Sequence, residues 1–245
     1  MLFTDYLYEN SKEVWDKYLE HPFLIELGEG TLDKEKFRKY LIQDYLYLIE
    51  YAKVYAMACV KSRNMKELKK FHNGVAGSIE TETANHIMYL KDFGENIENM
   101  EFKYKLNMTN ESYTSYMKSI SVTGTIEEIV AAVLPCTWSY NYIGLKLKEK
   151  YKDKLEGNFF ESWIETYASD EYVAFKNEWL DFTNELCENL PQDKKEKLKD
   201  IFLSSLLSDL TSISARFDSA SCNHVFSPRR VRGENTLTCA PWAHA

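Results

Sequence analysis

Asp44 is an acidic residue in a segment that is otherwise mostly apolar or aromatic, since residues 43–51 read QDYLYLIEY. On a helix, residues three, four and seven positions away share its face; these are Tyr40, Tyr47, Leu48 and Tyr51. A carboxylate is costly to bury unless hydrogen-bond donors surround it. We therefore expect Asp44 either to be held by tyrosine hydroxyls or to face an amino group of a ligand.

Cys136 is the second candidate, in the segment LPCTWSY. Pro135 precedes it, lacks a backbone donor and is expected to kink its helix, and Tyr140 follows one turn later. A buried cysteine is either a small apolar residue or a nucleophile. As a nucleophile, Cys136 needs an acid or base from another helix, because none of its sequence neighbours supplies one.

Glu82 and His86 lie four residues apart and form the one pair in the sequence for which we consider a metal site. Di-iron helical bundles use about four carboxylates and two Glu-x-x-His motifs at i, i+3 spacing. Here Thr83 occupies the i−3 position, and the next histidine after His86 is His224. A single pair at this spacing is more typical of a hydrogen bond on a helix face, and we predict no metal ion.

The composition predicts an all-α fold. The chain has 245 residues with 9 Gly and 5 Pro, and only Pro135 lies between Pro22 and Pro191. Strand-rich folds need turn residues more often than this. This length is typical of one large domain.

Charge and cysteine usage narrow the function classes. A net charge of −8 leaves no basic surface for a nucleic acid. We identify no signal peptide, and no apolar stretch reaches the roughly 18 residues of a membrane span. The five cysteines show no paired spacing, which favours a reducing cytoplasm.

Apolar residues recur at helical spacing along most of the chain. They predict a multi-helix bundle without internal repeats or a phosphate-binding glycine loop. The expected helices cover residues 5–20, 22–27, 33–62, 65–93, 110–121, the segment after 125, 158–168, 170–190, and 192–205 or beyond.

The composition changes near residue 205. Residues 1–205 contain 24 Lys and 2 Arg, whereas residues 206–245 contain no Lys and 4 Arg. Beyond about Arg216 no helical apolar period remains. We expect a helical domain over residues 1–205, followed by an atypical segment, 206–245, that is partly disordered or is a foreign or frame-shifted end.

Four stretches occur together and in a characteristic order. These are HPFLIELGEGTLDKEKFRKYLIQDYLYL, NESYTSYM, EEIVAAVLPCTWSYNYIG and WIETYASDEY, at residues 21–48, 110–117, 127–144 and 163–172. They resemble the thiaminase II (TenA) family of aminopyrimidine hydrolases over residues 1 to about 205. The resemblance implies a helical fold like that of heme oxygenase, without heme, assembled as a homotetramer and without a metal or organic cofactor.

The resemblance also implies the reaction. This family converts thiamine or 4-amino-5-aminomethyl-2-methylpyrimidine to the hydroxymethyl pyrimidine used in thiamine salvage. Carried over by motif, Cys136 would be the nucleophile and Asp44 would hold the ring nitrogen and amino group. The tyrosines that would line the pocket are Tyr47, Tyr113, Tyr140 and Tyr167. A buried acceptor suits an aminopyrimidine edge, and flat aromatic rings suit its face.

The end of the chain departs from the family pattern. The family places a glutamate, the general acid and base, in a C-terminal helix; here Asp209 follows Phe202 by seven positions, and the Phe-Trp positions that follow hold other residues. We expect Asp209 to be a solvated acid rather than a working catalytic group, with turnover impaired or absent. Two functions therefore stay open, an aminopyrimidine hydrolase and a pyrimidine-binding protein that has lost its acid.

Overall fold

The computed structural model describes residues 1–218, apart from the side chains of residues 81–83, 85, 214 and 216–218. Throughout this part of the chain the regular structure is helical and no strand occurs, so the predicted all-α fold is confirmed. The α-helices are α1 (Phe3–Glu9), α2 (Lys12–Leu19), α3 (Pro22–Glu29), α4 (Lys34–Lys61), α5 (Met65–Ala76), α6 (Thr83–Asp92), α7 (Met100–Lys103), α8 (Met108–Thr123), α9 (Ile126–Lys150), α10 (Glu161–Ala168), α11 (Asp170–Cys187) and α12 (Gln192–Asp218). A π-helical segment, Gly77–Glu82, joins α5 to α6, and short 3-10 turns cover Ile97–Asn99 and Lys152–Lys154.

The prediction of one helix over residues 5–20 was wrong, because the chain breaks between α1 and α2. The hydroxyl of Ser11 donates to the Leu7 carbonyl at 2.7 Å, and the Asn10 amide donates to the Tyr6 carbonyl at 2.8 Å. Short polar side chains compete in this way with the hydrogen bonds that would continue a helix. The break lets α2 turn so that Trp15 and Tyr18 are buried.

The predicted single helix over residues 65–93 was also wrong. It is interrupted by the π-helical segment, where the Ser78 hydroxyl donates to the Gly74 carbonyl at 2.9 Å. Hydrogen bonds from i to i+5 add a residue to the turn, and such segments occur often at functional sites.

Local sequence signals set several helix ends. The Asp33 carboxylate accepts from the backbone of Lys36, and Thr125 and Glu128 form a capping box at the start of α9. Gly30, with φ of 73°, ends α3 in the left-handed conformation that favours glycine.

Helix α9 is central in the bundle and packs against α4, α8, α10, α11 and α12. Its middle is buried nearly all round, and the helix continues through Pro135. The hydroxyl of Tyr51 on α4 donates to the Val133 carbonyl of α9 at 2.7 Å. This contact ties the two helices that carry Asp44 and Cys136.

Helix α10 approaches α9 at a glycine. A Cβ atom on Gly144 would lie 2.7 Å from the carbonyl carbon of Tyr167, closer than two backbones tolerate with a side chain between them. One turn earlier, the Asn141 amide donates to the Tyr167 carbonyl at 2.9 Å. Gly144 and Asn141 therefore place Tyr167 beside α9.

Helix α12 crosses the change in composition without interruption. Beyond residue 205 it still buries Leu206, Asp209, Ser212 and Ile213 against the bundle, and it packs on α4, α8 and α9. Residues 219–245, which contain Cys222 and Cys239, lie outside the described residues, as does most of the segment predicted to be disordered or foreign. Within residues 1–218, no helix combines the length and apolar character needed to cross a membrane.

Candidate active site

Asp44 lies in a buried group of polar side chains that comes from three helices. Its Oδ2 atom accepts a hydrogen bond from the Tyr40 hydroxyl at 3.2 Å and lies 2.9 Å from Nε2 of His86 on α6. The hydroxyl of Tyr40 is also 3.0 Å from that of Tyr140 on α9. We call Asp44, Tyr40, His86 and Tyr140 the aspartate cluster. Its carboxylate is held on one oxygen by neighbouring groups, as burial requires.

Aromatic rings form a wall beside this cluster. The ring of Tyr140 lies 4.8 Å from that of Tyr167, which lies 4.7 Å from the ring of Trp163. Trp163 also contacts the ring of Tyr40 at 6.2 Å. The wall therefore offers flat apolar surface next to a buried acceptor, the combination that an aminopyrimidine needs.

A second group surrounds Cys136. The ring of Tyr47 stacks on that of Tyr113 from α8 with 5.6 Å between centroids. The pKa of Tyr47 is well above its usual value because the phenol is buried; the neighbouring charges of Cys136, Tyr113, Tyr51 and Asp209 raise it further. Tyr47 thus lies close to the thiol of α9 and to the carboxyl group of α12, and stays a neutral hydroxyl.

Asp209 is fully buried, so the expectation of a solvated acid was wrong. Its Oδ2 atom accepts hydrogen bonds from the Tyr18 hydroxyl and from the Ser139 hydroxyl, both at 2.8 Å. The altered C-terminal sequence still has enough apolar residues, such as Leu206 and Ile213, to hold α12 against the bundle. The carboxyl group therefore faces the interior rather than solvent.

Tyr18 lies on the far side of this carboxyl group, on α2. Burial raises the pKa of its phenol well above the usual value, and the charge of Asp209 raises it further. Tyr18 is consequently a hydrogen-bond donor and not a base. We call Cys136, Tyr47, Tyr113, Asp209, Tyr18 and Ser139 the thiol cluster.

The two clusters lie side by side because α4 and α9 each contribute to both. Asp44 and Tyr47 are three residues apart on α4, and Cys136 and Tyr140 are four apart on α9; such positions share a helix face, with about 5–6 Å between Cβ atoms. Tyr140 contacts the aspartate cluster and Cys136 interacts with Tyr47. The helices therefore run antiparallel here, which places the aspartate cluster next to the thiol cluster along α4 and α9.

All seven residues predicted for the site are buried on helices of the bundle: Asp44, Tyr47, Tyr113, Cys136, Tyr140, Tyr167 and Asp209. The structure pairs Tyr47 with Tyr113 and Tyr140 with Tyr167.

Four residues of the clusters were missed. Tyr40 was recognised on the face of Asp44 but was not assigned to the site. Ser139 lies three residues after Cys136, and this helical spacing could have identified it. His86 was considered only with Glu82. Nothing in the sequence singled out Tyr18.

Among the described side chains, no group of three or more potential metal ligands occurs. The side chain of Glu82 is outside that set. His86 instead lies 2.9 Å from Oδ2 of Asp44, and the sequence of α6 contains no second histidine.

The chain is similar in sequence and in structure to several known proteins. The model of the TENA/THI-4/PQQC family matches residues 8–208. An aminopyrimidine aminohydrolase of Helicobacter pylori is 36% identical over 206 residues, which are 84% of this chain and 94% of that protein. A TenA homologue from P. horikoshii OT3 superposes with a TM-score of 0.78 at 26% identity, covering 89% of this chain and 99% of that one. A domain with a heme oxygenase-like fold from Shewanella denitrificans OS217 gives 0.70 at 17% identity, covering 91% and 98%.

Proposed function

The chain belongs to the TENA/THI-4/PQQC family, and we propose that it is an aminopyrimidine aminohydrolase of the thiaminase II type. Its substrate would be 4-amino-5-aminomethyl-2-methylpyrimidine, or thiamine, and its product the hydroxymethyl pyrimidine of thiamine salvage. The carrying observation is that two buried carboxyl groups, Asp44 and Asp209, lie in one helical bundle with buried Cys136 and its tyrosines, and that Tyr47 is close to both Cys136 and Asp209.

The aspartate cluster would bind the pyrimidine. An aminopyrimidine presents a donor amino group beside a ring nitrogen, and a carboxylate can accept from such an edge with both oxygens once the nitrogen is protonated. Tyr140 and Tyr167 would cover the ring face. The position of Asp44 three residues before Tyr47 directs the exocyclic methylene toward the thiol.

The thiol cluster would carry out the reaction, with Asp209 moving each proton. The Asp209 carboxylate takes the thiol proton of Cys136, and the thiolate adds to a ring carbon of the pyrimidine. Electrons returned through the ring break the bond between the methylene and the amine, and the leaving amine takes the proton from Asp209. Water then adds to the methylene while Asp209 accepts its proton. Departure of the thiolate restores the ring, and the thiolate takes the proton back from Asp209.

The alternative is a pyrimidine-binding protein with impaired turnover. Asp209 is one methylene shorter than the glutamate expected from the resemblance, so its oxygens retreat by roughly an ångström, and misplacement on that scale can cost about 100-fold in rate. Against loss of function, Asp209 is buried and receives two hydrogen bonds. We favour a slower hydrolase over a binding protein.

Turnover of the aminomethyl pyrimidine, followed by mass spectrometry, tests this function. We expect the hydroxymethyl product from the unaltered chain and a loss on the order of 10⁴-fold in Cys136→Ser, since the nucleophile is removed. Cys187→Ser is the matched control, because Cys187 is equally buried but lies on α11 outside both clusters.

The outcomes separate the hypotheses. Binding of the pyrimidine without product would favour the alternative, and absence of both binding and product would contradict the proposed function. The cytoplasmic location and the homotetramer implied by the resemblance stay predictions, which fractionation and light scattering can check.

A further inference from the structure

Two hydroxyl groups meet at one oxygen of Asp209, and each has a second acceptor close by. The Tyr18 hydroxyl lies 2.8 Å from Oδ2 of Asp209 and 3.1 Å from the Leu206 carbonyl. The Ser139 hydroxyl lies 2.8 Å from the same Oδ2 and 3.1 Å from the Cys136 carbonyl. The two groups are on different helices, α2 and α9, and both are fully buried.

Each hydroxyl has a single hydrogen to donate, so it can serve only one of its two acceptors well at a time. When Asp209 is a carboxylate, both hydroxyls donate preferentially to its Oδ2 atom, because hydrogen bonds to a charged acceptor are about twice as strong as neutral ones. When Asp209 carries a proton, either hydroxyl can turn to its backbone carbonyl. No buried hydrogen is then left without an acceptor.

We propose that Tyr18 and Ser139 are positioning residues that hold the Asp209 carboxyl group in place in both of its protonation states. The inference rests on the proposed function, in which Asp209 gains and loses a proton at several steps. It goes further by assigning a role to two residues outside the set that touches the pyrimidine or the thiol.

The arrangement also accounts for how a shorter acid can work here. Two donors on one oxygen fix the orientation of the carboxyl group. Without them, packing alone would determine the orientation of this side chain. Ser139 is three residues from Cys136 and its hydroxyl contacts the Cys136 carbonyl as well as Asp209. One side chain therefore contacts both the acid and the backbone of the nucleophile. Tyr18 keeps its proton because burial and the charge of Asp209 raise the pKa of its phenol.

Single substitutions test the inference through turnover. In Tyr18→Phe and Ser139→Ala we expect kcat to fall by about 10-fold each, the effect of one hydrogen bond to a charged group, with KM little changed. In the Asp209→Asn background neither substitution should lower kcat further, since the carboxylate they act through is absent.

Matched controls separate positioning from stability. Ser121→Ala removes a buried serine whose hydroxyl donates to the carbonyl three residues before it. Ser139 makes the same kind of contact with the Cys136 carbonyl, in addition to its bond with Asp209. Tyr89→Phe removes a buried phenol that bonds to the Phe159 carbonyl. Both are expected to keep wild-type kcat, and melting curves should show each test variant folded at the assay temperature.

A second measurement does not depend on turnover. Carbon-13 NMR of aspartate carboxyl groups, with the Asp209 signal assigned from Asp209→Asn, reports the pH at which this group titrates. Tyr18 and Tyr47 are titratable groups that interact with this carboxyl group, and Cys136 in turn lies close to Tyr47. Losing a donor to the anion should move the midpoint up by about one pH unit.

The two measurements test the positioning role and the proposed hydrolase separately. A shifted midpoint with no turnover in any variant would support the positioning role and overturn the proposed hydrolase. Unchanged kcat together with an unchanged midpoint in both variants would overturn the positioning role and leave the hydrolase standing.

Discussion

The aspartate cluster and the thiol cluster each contain one buried carboxyl group, but they hold it differently. Asp44 lies on α4, with the Nε2 atom of His86 at 2.9 Å and the Tyr40 hydroxyl at 3.2 Å from its Oδ2. Asp209 has two neutral hydroxyls and belongs to α12, where the composition of the chain changes. A hydroxyl with a second acceptor can turn away when a carboxyl group takes up a proton, and both donors to Asp209 have one, the Leu206 and Cys136 carbonyls. The first cluster is therefore suited to recognition and the second to reaction.

The largest effect is expected from Asp209→Asn, which preserves shape but removes the acid. General acid–base groups typically contribute about 10²–10⁴-fold, so we expect kcat to fall at least 100-fold with KM little changed. Asp200→Asn is the control, since Asp200 lies on the same helix with its side chain 72% exposed. Steady-state kinetics that showed full-rate turnover by Asp209→Asn would remove Asp209 from the mechanism.

Asp44→Asn should act on binding instead. Losing the charge weakens the hydrogen bonds to the amino edge of the pyrimidine, by about 10- to 100-fold in Kd. Calorimetry with the hydroxymethyl pyrimidine measures this directly, again beside Asp200→Asn. An unchanged Kd would mean that Asp44 is held only structurally by Tyr40 and His86.

His86 sharpens the same comparison with a smaller change. His86→Leu leaves Asp44 with one fewer partner, and we expect Kd for the pyrimidine to rise about 10-fold. His86→Gln can place an amide donor near the position of Nε2 and should recover most of that loss. His72→Leu, an exposed site on α5, is the control. Equal weakening by His86→Leu and His86→Gln would argue against a hydrogen-bonding role.

A separate effect, outside binding and turnover, concerns stability at high pH. The pKa values of Tyr18, Tyr47 and Tyr51 are well above the usual 10.0, with burial as the main cause. Above pH 10 the unfolded chain releases these protons while the folded one keeps them, so stability should fall, by about 1.4 kcal/mol per tyrosine per pH unit. Urea unfolding on both sides of pH 10 checks this, and Tyr18→Phe should lessen the fall. A pH-independent unfolding free energy would show that these phenols ionise freely in the folded protein.

The sequence analysis left two residues of each cluster unassigned, for different physical reasons. The place of Asp44 among tyrosines follows from helical spacing alone, which is why Tyr40 was already identified on its face. His86 lies on α6, after the π-helical segment Gly77–Glu82, and its contact with Asp44 joins two helices that helical spacing alone does not connect.

Asp209 was misjudged because its burial depends on packing between distant segments. A change in composition near residue 205 suggested a damaged helix, yet Leu206 and Ile213 keep the required apolar face. Tyr18 is 191 residues from Asp209 in the chain, and no local pattern could connect them. Ser139, by contrast, is one turn from Cys136 and was within reach of helical spacing.

Calorimetric binding of the hydroxymethyl pyrimidine to Asp44→Asn and Asp209→Asn, measured in parallel with the unaltered chain, tests the division between recognition and reaction most directly. It requires no turnover. We predict that Asp209→Asn binds with a Kd close to that of the unaltered chain, whereas Asp44→Asn binds at least about 10-fold more weakly. Equal weakening in both variants, or weakening in Asp209→Asn alone, would contradict the account.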